Sequence, residues 1–181
     1  TVLPSGCSDT ANVTFTVSTK TFNSGFWTPG GPPVNDGTEN IVFNAGTYTS
    51  TGNLSACSCS VTGATVTIAS GHTLTLVNGL TVSSGSMTFN NSASLIQIND
   101  ITNTGNIVYR RNTAMKRYDY TYWSSPVSPQ TLANLSPLTL SDKYFWWNPA
   151  ASIYNWTTVT APALTSITQG QGYIIRAPQF L

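Results

Sequence analysis

The hydrophobic pattern of this chain is clearest in residues 57–109, where short runs of alternating apolar and hydroxyl residues follow one another. Residues 64–68 (Ala-Thr-Val-Thr-Ile) and 73–76 (Thr-Leu-Thr-Leu) would place apolar side chains on one face of an extended strand and threonine on the other. Threonine favours extended backbone because its β-carbon is branched, and its hydroxyl stays solvated. Glycine, asparagine or serine then ends each run, so the pattern predicts short strands separated by turns.

A longer period lies over this alternation. Cys59 and Leu80 are 21 residues apart, and Leu80 and Ile101 repeat that interval. The same interval, or one close to it, relates further positions: Val66 to Met87, Ile68 to Phe89, Leu74 to Leu95, and the glycines Gly63, Gly85 and Gly105. Such a period predicts the coils of a short parallel β-solenoid, in which stacked coils share one core. An antiparallel meander is the alternative, but tight hairpins would not produce the long interval.

The texture of the chain divides it into three regions of an all-β protein. Residues 1–37 are irregular, and Phe26-Trp27 before a Pro/Gly-rich loop predicts an aromatic cap on the first coil. Residues 38–112 form the predicted solenoid. Residues 113–181 predict an aromatic-rich, sandwich-like β region with one helical turn, a hairpin and a last strand at 173–178.

Composition narrows the classes of function. Charged residues make up 7% of the 181 residues, and the formal net charge is +1. Nucleic-acid binding is not expected, because it needs a clustered basic face. Membrane insertion is not expected either, since no run of about 18 apolar residues is present. A surface of threonine, serine, asparagine and glycine is typical of secreted, repeat-built β proteins.

The titratable residues do not predict an active site. Glycoside hydrolysis needs two opposed carboxylates, and calcium sites need clustered acidic oxygens. The acidic residues are scattered instead, and Asp36 and Glu39 are expected to be solvated in a loop. His72 is the only histidine and is expected at a surface turn without a paired nucleophile. We therefore predict a non-catalytic chain with no cofactor and no metal site.

The chain has three cysteines. Cys57 and Cys59 lie two positions apart and are poorly placed to bond each other. A disulfide between Cys7 and either of them is one interpretation. The other is that Cys57 and Cys59 are small buried residues of an inward-facing row.

Aromatic residues dominate the last region and allow two interpretations. A glycan platform could be formed by Tyr118, Tyr120, Tyr122, Trp146, Trp147 and Trp156, because sugars stack on exposed rings. Alternatively, these rings fill the core. We favour the core, because the region contains little leucine or valine and the three tyrosines would lie together on one strand face.

Several segments in this region occur together in a known family. Residues 118–127 contain Tyr-Trp-Ser-Ser-Pro-Val, and a Leu-Ser-Pro stretch follows at 135–137. An Asp-Lys-aromatic segment then runs to Asn-Pro at 148–149, and residues 170–178 read Gly-Gln-Gly-Tyr-Ile-Ile-Arg-Ala-Pro. In this order the chain resembles large cell-surface proteins that the type IX secretion pathway of Bacteroidetes exports.

The resemblance implies a protein at the cell surface or in the extracellular medium, of the adhesin or gliding-adhesin type. Its partners would be the type IX export machinery and then surface glycans or other cell-surface proteins. It also implies a fragment of a longer chain, and Thr10 within Asp9-Thr10-Ala11 matches the family's O-glycosylation pattern. The expected function is a non-catalytic structural or adhesive module, and the alternative is a carbohydrate-binding module of a secreted glycan-acting protein.

Overall fold

The computed structural model describes residues 16–179, which fold as two compact units. The solenoid unit comprises described residues 16–87 and 93–106, and the sheet unit comprises residues 88–92 and 107–179. The strands, in chain order, are β1 (Thr19–Asn23), β2 (Phe26–Thr28), β3 (Asn40–Ala45), β4 (Thr47–Thr49), β5 (Leu54–Ala56), β6 (Cys59–Ile68), β7 (Thr73–Leu76), β8 (Leu80–Phe89), β9 (Ser94–Gln97), β10 (Val108–Tyr109), β11 (Tyr120–Trp123), β12 (Tyr144–Trp147), β13 (Trp156–Thr158) and β14 (Tyr173–Arg176). The helix α1 (Leu132–Leu135) is a single turn. None of the described helical residues forms a helix long and apolar enough to cross a membrane.

The solenoid unit confirms the predicted parallel β-solenoid. Successive rungs β1, β3, β6 and β8 lie side by side in one sheet, and β5, β7 and β9 form a second, three-stranded sheet. The register pairs Phe22 with Phe43 and Leu74 with Leu95, both 21 residues apart. Phe43, however, pairs with Val61, so one coil is only 18 residues long.

The inward and outward positions of the solenoid follow the alternation in its sequence. Val66, Leu74 and Leu80 are buried, as predicted. Of the threonines predicted to face outward, Thr65 and Thr81 are exposed and Thr75 is half-buried. The interval fails in the last coil, because Ile101 is exposed and lies outside any strand. There Thr81 pairs with Thr104, 23 residues on, and Asn103 Oδ1 accepts the Leu80 N–H at 2.7 Å.

The recurring glycines mark a corner where successive coils touch. A Cβ atom at Gly85 would collide with the carbonyl oxygen of Ala64, and one at Gly105 would collide with that of Val82. Both glycines also have positive φ angles, +82° and +86°, which L side chains rarely adopt. Glycine is therefore required here both by the backbone conformation and by the spacing of the coils.

Aromatic rings close the first coils of the solenoid. The Trp27 ring lies 5.4 Å from the Phe22 ring and 5.7 Å from both Phe43 and Tyr48, measured between ring centroids. Its strand β2 pairs antiparallel with β1. Strand β1 is itself a rung parallel to β3, so the stack of coils begins within residues 1–37. The neighbouring Phe26 is exposed.

The sheet unit contains an antiparallel four-stranded sheet in the order β11-β14-β12-β13. The helix α1 and the loops that follow it pack on one side of this sheet. The Thr131 side chain caps α1 by accepting the Asn134 N–H, as expected for a residue at the start of a helix. The buried core of the unit consists of Leu132, Tyr144, Val159, Ile167, Tyr173 and Ile175. The predicted helical turn, hairpin and last strand correspond to α1, β12–β13 and β14.

Candidate functional site

The side of the four-stranded sheet opposite α1 is lined with aromatic residues; we call it the outer face. Residues directly opposite each other on neighbouring strands project from the same side of a sheet. Tyr122 lies opposite Ile174, Ile174 opposite Phe145, and Phe145 opposite Thr158, which makes one row across all four strands. Two further pairs flank that row: Tyr120 with Arg176, and Trp147 with Trp156.

These rings are accessible to solvent. The exposed fractions are 72% for Tyr122, 47% for Trp147, 46% for Tyr120 and 36% for Trp156. The rings also touch one another, with centroids 5.1 Å apart for Trp147 and Trp156 and 6.1 Å apart for Tyr120 and Phe145. Tyr120, Phe145, Trp156 and Ile174 enclose a shallow apolar groove of about 220 Å³. The outer face is thus a continuous, exposed aromatic surface.

The prediction that Tyr118, Tyr120 and Tyr122 are buried is wrong. All three are exposed, and the core that they were expected to supply comes from residues such as Leu132, Ile167 and Ile175. These aliphatic residues are spread over a helix, a loop and a strand, so no local sequence pattern predicted that they form one core. Tyr118 does not belong to the strand at all, since it precedes β11 and has a φ angle of 73°.

The three tryptophans of the predicted platform divide between the two sides of the sheet. Trp147 and Trp156 lie on the outer face. Trp146 is half-buried and packs against the core of the sheet unit, because neighbouring residues of a strand project to opposite sides. It also lines a polar cleft of about 370 Å³, together with Thr158, Val159, Thr160, Thr165, Ser166, Thr168, Gln171 and Tyr173.

Two arginines lie beside one exposed ring at a corner of the outer face. The guanidinium carbon of Arg117 is 4.7 Å from the centroid of the Tyr118 ring, and that of Arg176 is 5.4 Å from it. Both distances are within the range of cation–π attraction. Arg176 also projects from the outer face, since it lies opposite Tyr120 in the register of β11 and β14. A cationic corner therefore adjoins the aromatic groove.

In the solenoid unit, the structure brings together a serine and the histidine, which sequence reasoning did not pair. Ser50 Oγ lies 2.8 Å from His72 Nδ1, and the same oxygen accepts the Ala69 N–H at 2.9 Å. The residues are 22 apart, close to one coil, so the solenoid period would have found the contact. Ser50 is only 3% exposed, and its bonds join adjacent coils. This geometry indicates that the Ser50–His72 pair stabilises the contact between adjacent coils.

The expectation that the Glu39 carboxylate is solvated is wrong. Its Oε2 accepts the Val34 N–H at 2.8 Å, and its Oε1 accepts the Ser18 hydroxyl and lies 3.9 Å from Lys20 Nζ. Glu39 is buried, so these partners compensate its lost hydration. Asp36 is exposed, and hydrogen bonds from Thr38 lower the pKa of its carboxyl. The described residues contain no cluster of three potential metal ligands.

Cys57 and Cys59 are not bonded to each other. Cys59 begins β6 and is buried, and burial raises the pKa of its thiol to about 12. Cys57 precedes the strand, and its sulfur accepts a hydrogen bond from Asn78 Nδ2 at 3.3 Å. Cys7 and the proposed glycosylation residue Thr10 lie outside the described residues.

Comparison with known proteins gives one match. The family model DUF8693, described as a domain of unknown function, matches residues 14–181. Neither a curated protein nor a solved structure matches the chain.

Proposed function

The chain belongs to the DUF8693 family of domains of unknown function, and we propose that it is a non-catalytic adhesive module of an exported cell-surface protein. The solenoid serves as a scaffold in this proposal, and the outer face of the four-stranded sheet is the adhesive surface. The observation that carries the proposal is the exposure of aromatic rings on that face, none of which belongs to the buried core beneath them.

The energetic argument rests on what these rings gain on contact. A tyrosine or tryptophan side chain buries about 150–250 Å² when fully covered, and such rings dominate the energetics of many interfaces. Tyr122, Trp147 and Trp156 lie on hydrogen-bonded strands of one sheet and not on a loop that a ligand would have to order first. Contiguous apolar surface of this kind is uncommon on a monomer and usually marks an interaction site.

A binding assay with the purified chain tests the proposal. Beads coated with the chain would be scored for retention on an array of glycans and extracellular proteins. We expect retention on at least one surface, and a loss of about tenfold or more in the double variant Tyr122→Ala/Trp147→Ala. Phe26→Ala is the control, because it removes an exposed ring of strand β2, which belongs to another sheet. Equal retention of all three proteins would refute the adhesive surface.

The extracellular location is part of the proposal, and the resemblance to type IX cargo supports it. Threonine-, serine- and asparagine-rich surfaces with 7% charged residues fit the same location. The test is protease digestion of intact cells that express the tagged protein, with and without a functional type IX pathway. Surface cleavage that depends on the pathway is expected, and an intracellular, protected tag would contradict the proposal.

A carbohydrate-binding module of a secreted glycan-acting protein is the second candidate function. It is favoured by the Trp147–Trp156 pair beside Tyr122, because flat sugar faces stack on such rings. The two functions differ in what the binding serves. A carbohydrate-binding module directs a glycan-acting domain of the same protein to its substrate, whereas an adhesive module retains a cell or a bead on the surface that it binds.

A further inference from the structure

The cationic corner of the outer face brings two positive charges together. Arg117 and Arg176 both approach the Tyr118 ring, within 4.7 and 5.4 Å of its centroid. Two guanidinium groups attracted to one ring repel each other, and neither forms an ion pair with a carboxylate in the described part of the chain. A bound anion would remove this repulsion.

Two carboxylates lie near this corner, Asp119 next to Tyr118 in the chain and Asp142 through its electrostatic interaction with Arg176, and both have other partners. Asp142 is bonded to Lys143, and this bond is the largest cause of the lowered pKa of its carboxyl; Arg176 contributes least. Asp119 Oδ2 accepts the Lys116 N–H at 2.8 Å. Within residues 16–179, the Nε atom of Arg176 is the only buried side-chain polar atom without a hydrogen-bond partner. Because Nε itself is closed to solvent, a ligand on the outer face would bind the terminal nitrogens of this guanidinium.

We propose that the outer face binds a polysaccharide whose sugar rings carry carboxylate groups, that is, a polyuronate. This inference rests on the proposed function and names the ligand class of the adhesive surface. Sugar rings would stack in the groove of Tyr120, Phe145 and Trp156, and a carboxylate would meet Arg176 and Arg117 at its end.

The order of the residues on the sheet supports this arrangement. Tyr120 lines the groove and is also the cross-strand neighbour of Arg176, so the apolar and cationic surfaces meet at one pair of residues. The planar guanidinium matches a carboxylate with two parallel hydrogen bonds, which gives specificity as well as affinity. Stacking alone would accept neutral and acidic sugars equally, and the arginines supply the preference.

Polygalacturonate oligosaccharides and their fully methyl-esterified counterparts are the probes, because they share a backbone and differ in charge. Calorimetry with the whole chain should show about tenfold or greater preference for the acid form. This preference should weaken as salt is raised. Arg117→Gln and Arg176→Gln should each abolish most of the preference and leave affinity for the ester unchanged. Tyr120→Ala should weaken the affinity for both the acid and the ester. The control Arg110→Gln, which replaces an exposed arginine of the same unit, should change neither affinity.

Arg117 is exposed, so its substitution tests the proposal even if the Arg176 variant folds poorly. Equal affinity for acid and ester would overturn the polyuronate assignment. Binding of neither probe would also overturn it. Self-association that Tyr122→Ala disrupts would overturn it as well, because the outer face would then bind a second copy of the chain. In those cases the proposed function stands if bead retention still depends on Tyr122 and Trp147. If retention does not depend on them, the proposed function itself is refuted.

Discussion

The two units of this protein use aromatic residues in opposite ways. In the solenoid unit, Phe22, Phe43, Tyr48 and Trp27 pack on one another within the first coils. In the sheet unit, the rings of the outer face touch one another as well, but they remain exposed over a core of mainly aliphatic residues. Ring clustering by itself therefore does not indicate burial. What distinguishes the units is whether another layer of the fold covers the cluster.

The largest effect is expected at the corner of the solenoid, where coil spacing excludes any side chain. Gly85→Ala places a methyl group against the Ala64 carbonyl at a φ angle of +82°, so adjacent coils must separate. We expect a loss of more than about 4 kcal/mol in the free energy of unfolding, or no folded protein. Gly71→Ala is the matched control, because its φ is +79° with open space around it. It should cost only about 1–2 kcal/mol. Similar losses in urea titrations of the two variants would show that spacing does not limit this corner.

Two tyrosines of the sheet unit sharpen the contrast within a single sheet. Tyr144 is 1% exposed, and its hydroxyl donates to the Ser136 carbonyl. Truncation to alanine should lower the free energy of unfolding by about 3–5 kcal/mol. Tyr122→Ala should stay within about 0.5 kcal/mol of the parent, since its ring is already exposed. Chemical denaturation measures both. A large loss for Tyr122 would mean that the outer face is part of the stabilising core rather than a free surface.

Leu74 and Thr75 provide the same test in the solenoid unit, at adjacent positions of β7. Leu74 is fully buried and Thr75 projects to the other side of the strand. Leu74→Ala should cost about 2–5 kcal/mol, because it leaves a cavity in the shared core. Thr75→Ala should cost less than about 1 kcal/mol. Equal changes in the midpoint of urea unfolding would mean that the inward row has been assigned to the wrong residues.

The sequence predicts more of the solenoid unit than of the sheet unit. In the solenoid, the alternation at Val66 and Leu74 and the repeat length together determine which side chains face inward, because equivalent positions of successive rungs lie side by side. The prediction that Ile101 is equivalent to Leu80 failed, because a longer connection shifts the register in the last coil and pairs Thr81 with Thr104. The same period could have paired Ser50 with His72, because the two residues are 22 positions apart, close to one coil.

No such repeat constrains the sheet unit. The sequence predicted its strands, but which side of each strand is covered depends on where α1 and the long loops pack. Trp146 and Trp147 are neighbours in the chain, yet one packs against the core and the other is exposed. Composition alone suggested that every ring was needed inside, because it could not show that Leu132, Ile167 and Ile175 converge from distant segments. The location of the candidate site follows from tertiary packing and not from a motif.

The smallest expected effect concerns the interior of the solenoid and appears only in alkaline solution. Burial raises the pKa of the Cys59 thiol from its ordinary value of 9.0 to about 12. Between these two values the unfolded chain loses the thiol proton while the folded chain keeps it, so stability falls as pH rises. The Cys59 contribution should be a loss of about 1 kcal/mol between pH 9 and pH 10.

Burial also raises the pKa of Tyr48 and of Tyr144, so the parent protein should lose more than this amount. Urea unfolding of the parent and of Cys59→Ala at both pH values measures the thiol together with its smaller effect on the pKa of Tyr48, and the variant should lose about 1 kcal/mol less over the interval. Parallel losses in the two proteins would mean that the Cys59 thiol titrates alike in the folded and unfolded states, and that this part of the coil interior is accessible to water.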